Sequence, residues 1–369
     1  MKTAKDNSVA AAGTHRTSAR AAIDVTVAQL TGFDEIIDVR SESEFADDHI
    51  PGAVNCPVLY DTQRAQVGTI YKQVSSFDAK KLGAALVSEN IATHLRERFQ
   101  DKPRDWRPLV YCWRGGGRSG ALAHVLTQVG WRTARLEGGY KAYRRAVIDA
   151  LDALPARTTW RVVCGMTGTG KSRLLRALDA AGAQVLDLEA LAAHRGSVLG
   201  NLPGAPQPTQ KLFESRVWHA LRHFDPSRPV YVEAESKKIG MLRVPDALIA
   251  AMWASETIVL EADVPTRVAL LKDEYAHFLG DAAALNAQLE CLTSLHGLET
   301  IQRWSRMARA GAWDALTEEL LIKHYDPSYT RAIVKHYPSL DRAVRLHATS
   351  AEASAFAALA QRHLEKVSL

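Results

Sequence analysis

Trp160-Arg161-Val162-Val163-Cys164-Gly165-Met166-Thr167-Gly168-Thr169-Gly170-Lys171-Ser172 opens as an apolar strand and closes on the pattern G-x-x-x-x-G-K-[ST]. In that setting, between a strand and a helix, the pattern is a P-loop. Its backbone N–H groups wrap a phosphate, the lysine reaches a terminal one, and the hydroxyl can bind Mg²⁺. Gly165, Gly168, Gly170, Lys171 and Ser172 are therefore the candidate phosphate-binding residues, with Ser172 also a candidate Mg²⁺ ligand. Ser172 to Ala181 reads as the following helix. Gln184–Leu188, Val230–Glu233 and Thr257–Leu260 read as further strands, so the unit is α/β with a parallel sheet. Glu233 ends one of these strands and is the preferred acidic partner of the phosphate site, with Glu235 and Asp187 as alternatives. The motif leaves open whether the ligand is a nucleotide or another diphosphate.

Upstream, the same alternation appears a second time. Glu35–Val39 and Pro108–Cys112 are short apolar runs, and Ser119–Val129 carries apolar residues at helical spacing. Between the last two lies Tyr111-Cys112-Trp113-Arg114-Gly115-Gly116-Gly117-Arg118-Ser119. A cysteine at the carboxyl end of a strand, followed by Gly115, Gly116 and Gly117 and then a helix, meets several backbone N–H groups and the positive helix terminus. Both favour the thiolate, which is the nucleophile. Arg114 and Arg118 add positive charge, so Cys112, Arg114 and Arg118 are the candidate catalytic group. The three glycines suit a nest of amides.

The expected organisation is a disordered tail over 1–22 and an α/β domain over 23–148. A linker at 149–158, where Leu154-Pro155 breaks the pattern, leads to the P-loop domain over 159–264. A helical region over 265–369 has no further strand. With 47% hydrophobic and 24% charged residues the chain is of ordinary globular composition. The net charge of +5 is compatible with a polyanionic partner. The four cysteines, Cys56, Cys112, Cys164 and Cys291, have neither zinc-ligand nor disulfide-framework spacing. They suit a cytoplasmic protein with reduced thiols. No apolar run is long enough to cross a bilayer, and the amino-terminal residues lack the apolar core of a secretory signal.

Asp38-Val39-Arg40, Glu44-Phe45, His49-Ile50-Pro51-Gly52-Ala53-Val54-Asn55 and the Cys112 loop resemble the rhodanese family, whose loop cysteine carries sulfur or selenium. Here Arg118 follows Cys112 by six positions rather than five. The longer loop is similar to that of dual-specificity phosphatases and suits a tetrahedral oxyanion such as selenophosphate. Tyr111 stands where those phosphatases carry histidine, which argues against a simple phosphatase.

The rhodanese-then-P-loop order resembles the tRNA 2-selenouridine synthase family. So do Leu188-Glu189, His194-Arg195-Gly196-Ser197, Gln210–Glu214, Val232–Gly240, Leu295-His296-Gly297 and His324–Tyr329. The resemblance implies a transferase that geranylates 2-thiouridine at the tRNA wobble position with geranyl diphosphate. It then replaces sulfur by selenium from selenophosphate. It implies no tightly bound cofactor. Basic residues Lys237, Lys238, Arg303, Arg306 and Arg309 are the candidate tRNA contacts, while Trp304 and Trp313 read as core residues rather than stacking platforms. The competing reading is a sulfurtransferase fused to an ATP-dependent small-molecule kinase.

Overall fold

The computed structural model describes residues 21–197 and 199–367. The tail expected over 1–22 lies almost wholly outside the described residues. The chain divides into two compact units, one of residues up to 45 with 52–143, the other of 46–51 with 144–369.

The first unit is built on a five-stranded sheet. Its strands are β1 (Ile23–Val25), β2 (Glu35–Asp38), β3 (Val54–Asn55), β4 (Pro108–Tyr111) and β5 (Ala134–Leu136). Their order is β1-β5-β4-β2-β3 and every pairing is parallel. Covered on both faces, the central strands read as continuous apolar runs, and Leu109, Val110 and Tyr111 are fully buried. The helix Gly117–Val129 turns Leu122, Ala123 and Leu126 onto the sheet and stops at Gly130, whose φ of 115° only glycine adopts freely.

The second unit adds β6 (Trp160–Cys164), β7 (Gln184–Leu186), β8 (Val230–Glu233), the hairpin strands β9 (Lys238–Ile239) and β10 (Leu242–Arg243), β11 (Glu256–Glu261) and β12 (Val344–His347). The five-stranded sheet runs β12-β11-β6-β8-β7, again all parallel. The chain leaves β6 toward β7 and β8 on one side and later fills the other side with β11 and β12. The carboxyl end of β6 is thus the topological switch point, where open α/β sheets bind ligands. The helix Lys171–Ala180 buries Leu174, Leu175 and Leu178 against this sheet. From Val264 to His336 helices dominate, around a core that includes Leu289, Ile301, Trp304 and Leu320.

Two expectations need correcting. The region after 264 is not wholly helical, because Val344–His347 forms an edge strand on β11. Its residues are mostly exposed, so the apolar pattern that marks a buried strand is missing. The second concerns form alone: residues 149–158, expected as a linker, are ordered in helix and turn. The helix Gly139–Ala153 enters them and Pro155–Arg157 forms a 3-10 turn. Pro155 ends the helix without opening the chain, since its fixed φ also suits the first position of a turn.

Phe356, on the carboxy-terminal helix Ala353–Val367, packs into the core beneath the P-loop. Phe356→Ala should cost the second unit about 3–5 kcal/mol, as large-to-small core changes do. Denaturant unfolding of the full chain measures it, and a loss below about 1 kcal/mol would contradict the packing described.

Candidate active sites

Cys112 follows β4 directly, and its side chain is 3% exposed. The backbone N–H groups of Arg114 and Ser119 point at its sulfur. Ser119 Oγ lies 3.2 Å from Sγ and 3.2 Å from the Gly116 carbonyl, so its hydroxyl can turn to the sulfur as a donor. Burial opposes the thiolate. The Ser119 hydroxyl, the two amides and the Arg118 charge outweigh it, and the thiol titrates below its ordinary value. Burial pushes Cys56 up to about 11 despite a hydrogen bond from Arg98, and pushes Cys164 up to about 12.

The loop is shaped by a contact that the sequence reading missed. Gly138 and Gly139, after β5, lie against it. Tyr140 N–H donates to the Cys112 carbonyl at 2.8 Å, and Lys141 N–H to the Trp113 carbonyl at 3.0 Å. A Cβ on Gly139 would stand 2.2 Å from the Cys112 oxygen and 2.5 Å from Gly115 N, and its φ is +59°. Gly115 also has a positive φ, +67°, and faces the Leu136 carbonyl. Gly116 and Gly117 have neither constraint, since a Cβ there meets nothing within 4 Å. The expectation that all three loop glycines serve backbone angles therefore holds for Gly115 alone.

Arg114 is exposed, and its backbone amide rather than its side chain serves the sulfur. Arg118 is not a free cation. Its guanidinium is paired with Glu44 at 2.7 Å, and Arg64 Nε lies 3.7 Å from the same carboxylate. Arg118 thus supports the thiolate from a fixed, partly compensated position.

In the second unit the P-loop glycines are each required by packing. A Cβ on Gly165 would meet the Leu260 carbonyl at 2.6 Å. One on Gly168 would meet Leu271 at 2.9 Å, and one on Gly170 would meet Phe356 at 2.5 Å. The loop opens into a cavity of about 720 Å³. Gly168, Gly170, Lys171 and Ser172 line it, whereas Gly165 lies behind, its N–H donated to Tyr329 Oη at 2.6 Å. Lys171 Nζ donates to the Gly165 carbonyl at 2.8 Å, and Ser172 Oγ to Glu189 at 3.0 Å.

Glu233 does not line the cavity. One carboxylate oxygen accepts the Glu189 N–H at 2.8 Å, and the other is buried with no partner among the described residues. Burial and the carboxylates of Asp187, Glu189 and Glu235 push its pKa well up. Glu233 is thus a positioning residue for Glu189, and the acids that reach the cavity are Asp187, Glu189, Glu235 and Glu274. Burial also raises Glu189, and it raises Glu235 to about 8. Glu189 follows no strand pattern, and only its family motif drew notice to it. Among the described residues no three His, Cys, Asp or Glu converge to hold a metal ion. Ser172 with Glu189 and Glu235 fits a Mg²⁺ only if phosphate oxygens and water complete the shell.

His194 and His324 are both buried and both border the cavity. His194 Nδ1 accepts the Gly196 N–H, and His324 Nδ1 lies 3.0 Å from His296 Nε2. Burial lowers the pKa of each, reinforced at His324 by His296. Of the expected tRNA contacts, Lys237 and Lys238 are exposed beside β9, and Arg306 and Arg309 are exposed on the helix Leu298–Arg309. Arg303 is paired with Glu319 at 2.8 Å. Trp304 is fully buried, as expected for a core residue, and Trp313 is half-buried against the same cluster.

A cysteine loop that favours the thiolate on one parallel sheet and a P-loop on another suit a two-domain group-transfer enzyme. Known families agree with each half. A rhodanese-like domain model matches residues 24–146, and one described as "tRNA 2-selenouridine synthase AAA domain" matches 158–303. The protein named tRNA 2-selenouridine synthase in Nitrosomonas europaea is 35% identical over 297 residues, covering 77% of this chain and 76% of its own. Proteins of the same name in Hydrogenovibrio crunogenus and Shewanella denitrificans are 38% and 33% identical, covering 65% and 80% of this chain and 67% and 87% of their own. The chain belongs to the tRNA 2-selenouridine synthase family, whose members are tRNA-modifying enzymes. No described helix is long and apolar enough to cross a membrane.

The cradle geometry has three measurable consequences. Iodoacetamide near neutral pH should alkylate Cys112 ahead of the other buried cysteines, Cys56 and Cys164, because only Cys112 has its pKa lowered. Ser119→Ala removes a thiolate donor, so the alkylation-versus-pH curve should move to higher pH; an unmoved curve would remove Ser119 from the cradle. Gly139→Ala should abolish Cys112-dependent activity, while Gly116→Ala keeps it, as assayed on tRNA.

Proposed function

We propose that this enzyme makes 2-selenouridine at the tRNA wobble position in two steps. In the first, the P-loop cavity grips the diphosphate of geranyl diphosphate. The sulfur of 2-thiouridine attacks C1 of the geranyl group, the C–O bond breaks, pyrophosphate leaves, and the N3 proton of the base passes to solvent. In the second, selenium from selenophosphate bonds to C2 of the base. The geranylthio group takes a proton and leaves as thiogeraniol, and water takes the phosphoryl group as phosphate. Alkylation comes first because a thiocarbonyl sulfur is a poor leaving group until it becomes a thioether.

The observation that carries this reading is the presence, in one chain of this family, of two different anion cradles. One is centred on a thiol whose pKa is lowered by amides and a hydroxyl, and it suits the selenium step. The other is a P-loop beside a roomy cavity, suited to a diphosphate. Ser172, Glu189 and Glu235 would hold a Mg²⁺ bound with that diphosphate, and the ion would supply charge neutralisation. Lys237, Lys238, Arg306 and Arg309 offer exposed positive charge to the tRNA backbone.

Mass analysis of tRNA nucleosides after incubation with geranyl diphosphate, then with selenophosphate, tests each step. Lys171→Ala should lose geranylation, and Cys112→Ser should keep geranylation but lose selenium. Normal geranylation by Lys171→Ala refutes the P-loop assignment, and ATP turnover without tRNA would favour a kinase instead. A pH dependence follows as well. Glu235 is neutral below about 8 and charged above it. Without divalent cations, geranyl diphosphate should therefore bind more weakly as pH rises through that value, and Glu235→Gln should flatten the trend in a binding titration.

A further inference from the structure

The Cys112 loop carries a side chain that its anion cradle does not use. Trp113 is 40% exposed, immediately after the nucleophile. The donors to the sulfur come from Ser119 and two backbone amides, so nothing in that chemistry calls for a tryptophan here. Its ring is nonetheless held in place. It packs on Tyr140, with centroids 5.2 Å apart and planes inclined by 33°. The buried Arg40 guanidinium sits 4.0 Å from the Tyr140 centroid, itself tied to both oxygens of Asp38. The result is a tier of guanidinium, phenol and indole whose outermost member meets solvent. Beside it stands the exposed cation Arg114.

We propose that Trp113 is the stacking platform for an unstacked pyrimidine of the RNA substrate, with Arg114 contacting an adjoining phosphate. This rests on the reading of the Cys112 cradle as the place where the base is modified. Chemistry at C2 of a base requires that the base leave its stack, and enzymes hold such a base against an aromatic face. A flat indole flanked by a cation matches the two faces of a nucleotide, one aromatic and one anionic. The preorganised tier lowers the ordering cost of that contact.

The test uses the full chain and a short anticodon stem-loop RNA with 2-thiouridine at the wobble position. Its affinity is measured for wild type, Trp113→Phe, Trp113→Leu and Trp113→Ala, with the iodoacetamide rate at Cys112 as a check on the cradle. Stacking is worth about 1–3 kcal/mol per base, so Trp113→Ala should weaken binding roughly 5- to 150-fold. Trp113→Leu should do nearly the same, and Trp113→Phe should stay within about threefold of wild type, with Cys112 alkylation unchanged throughout. Unaltered affinity in Trp113→Ala, or equal rescue by leucine and phenylalanine, overturns the platform. A loss of binding that tracks a loss of Cys112 reactivity overturns it too, because the ring would then be shaping the loop. If wild type itself fails to bind the RNA, the proposed function falls with it; if wild type binds and Trp113→Ala matches it, only the platform falls.

Discussion

Both sites depend on backbone passing backbone more closely than any side chain allows. At the Cys112 loop the constraint is Gly139 against the Cys112 carbonyl and Gly115 against the Leu136 carbonyl. At the P-loop it is Gly165 against the Leu260 carbonyl. The parallel is close. Each loop leaves the carboxyl end of a strand, β4 or β6, and each is pressed by the end of the neighbouring parallel strand, β5 or β11. Adjacent parallel strands end side by side, so the exit of one is available to mould the loop of the other. Amides converge on a ligand only because that moulding turns them inward.

The three buried cysteines show how far local donors override burial. Cys56, Cys112 and Cys164 are all shielded from solvent. Two are held as thiols by desolvation, and the third is moved the other way by one hydroxyl, two amides and a compensated arginine. Ser119 makes the difference from the first turn of the helix Gly117–Val129.

The P-loop and the cysteine loop were legible in the sequence because each is local, a strand, a loop and a helix written in consecutive residues. The partners that shape them were not. Gly138 and Gly139 come from another strand's exit and carry no motif, and Phe356 reaches Gly170 from the far end of the chain. Glu233 looked like the acidic partner because it ends a strand, yet the carboxylate that meets Ser172 belongs to Glu189, in the next segment after β7. The edge strand β12 escaped notice for a related reason, since exposure removes the apolar signature on which periodicity relies.

Several polar groups at and behind the P-loop are already engaged. Lys171 is bonded to the Gly165 carbonyl, Ser172 to Glu189, and Arg267 to Asp326 and the Thr167 carbonyl. A diphosphate bound there, as proposed, would have to exchange these existing contacts of Lys171 and Ser172 for new ones, so its net gain with them would be the difference between two sets of bonds. The raised carboxylates bear on the same balance. A neutral Glu235 does not repel an anion, and an ionised one repels it unless a cation arrives as well. If the cavity takes a diphosphate as proposed, it would have two ways to limit that repulsion, a proton on Glu235 or a cation bound with the ligand.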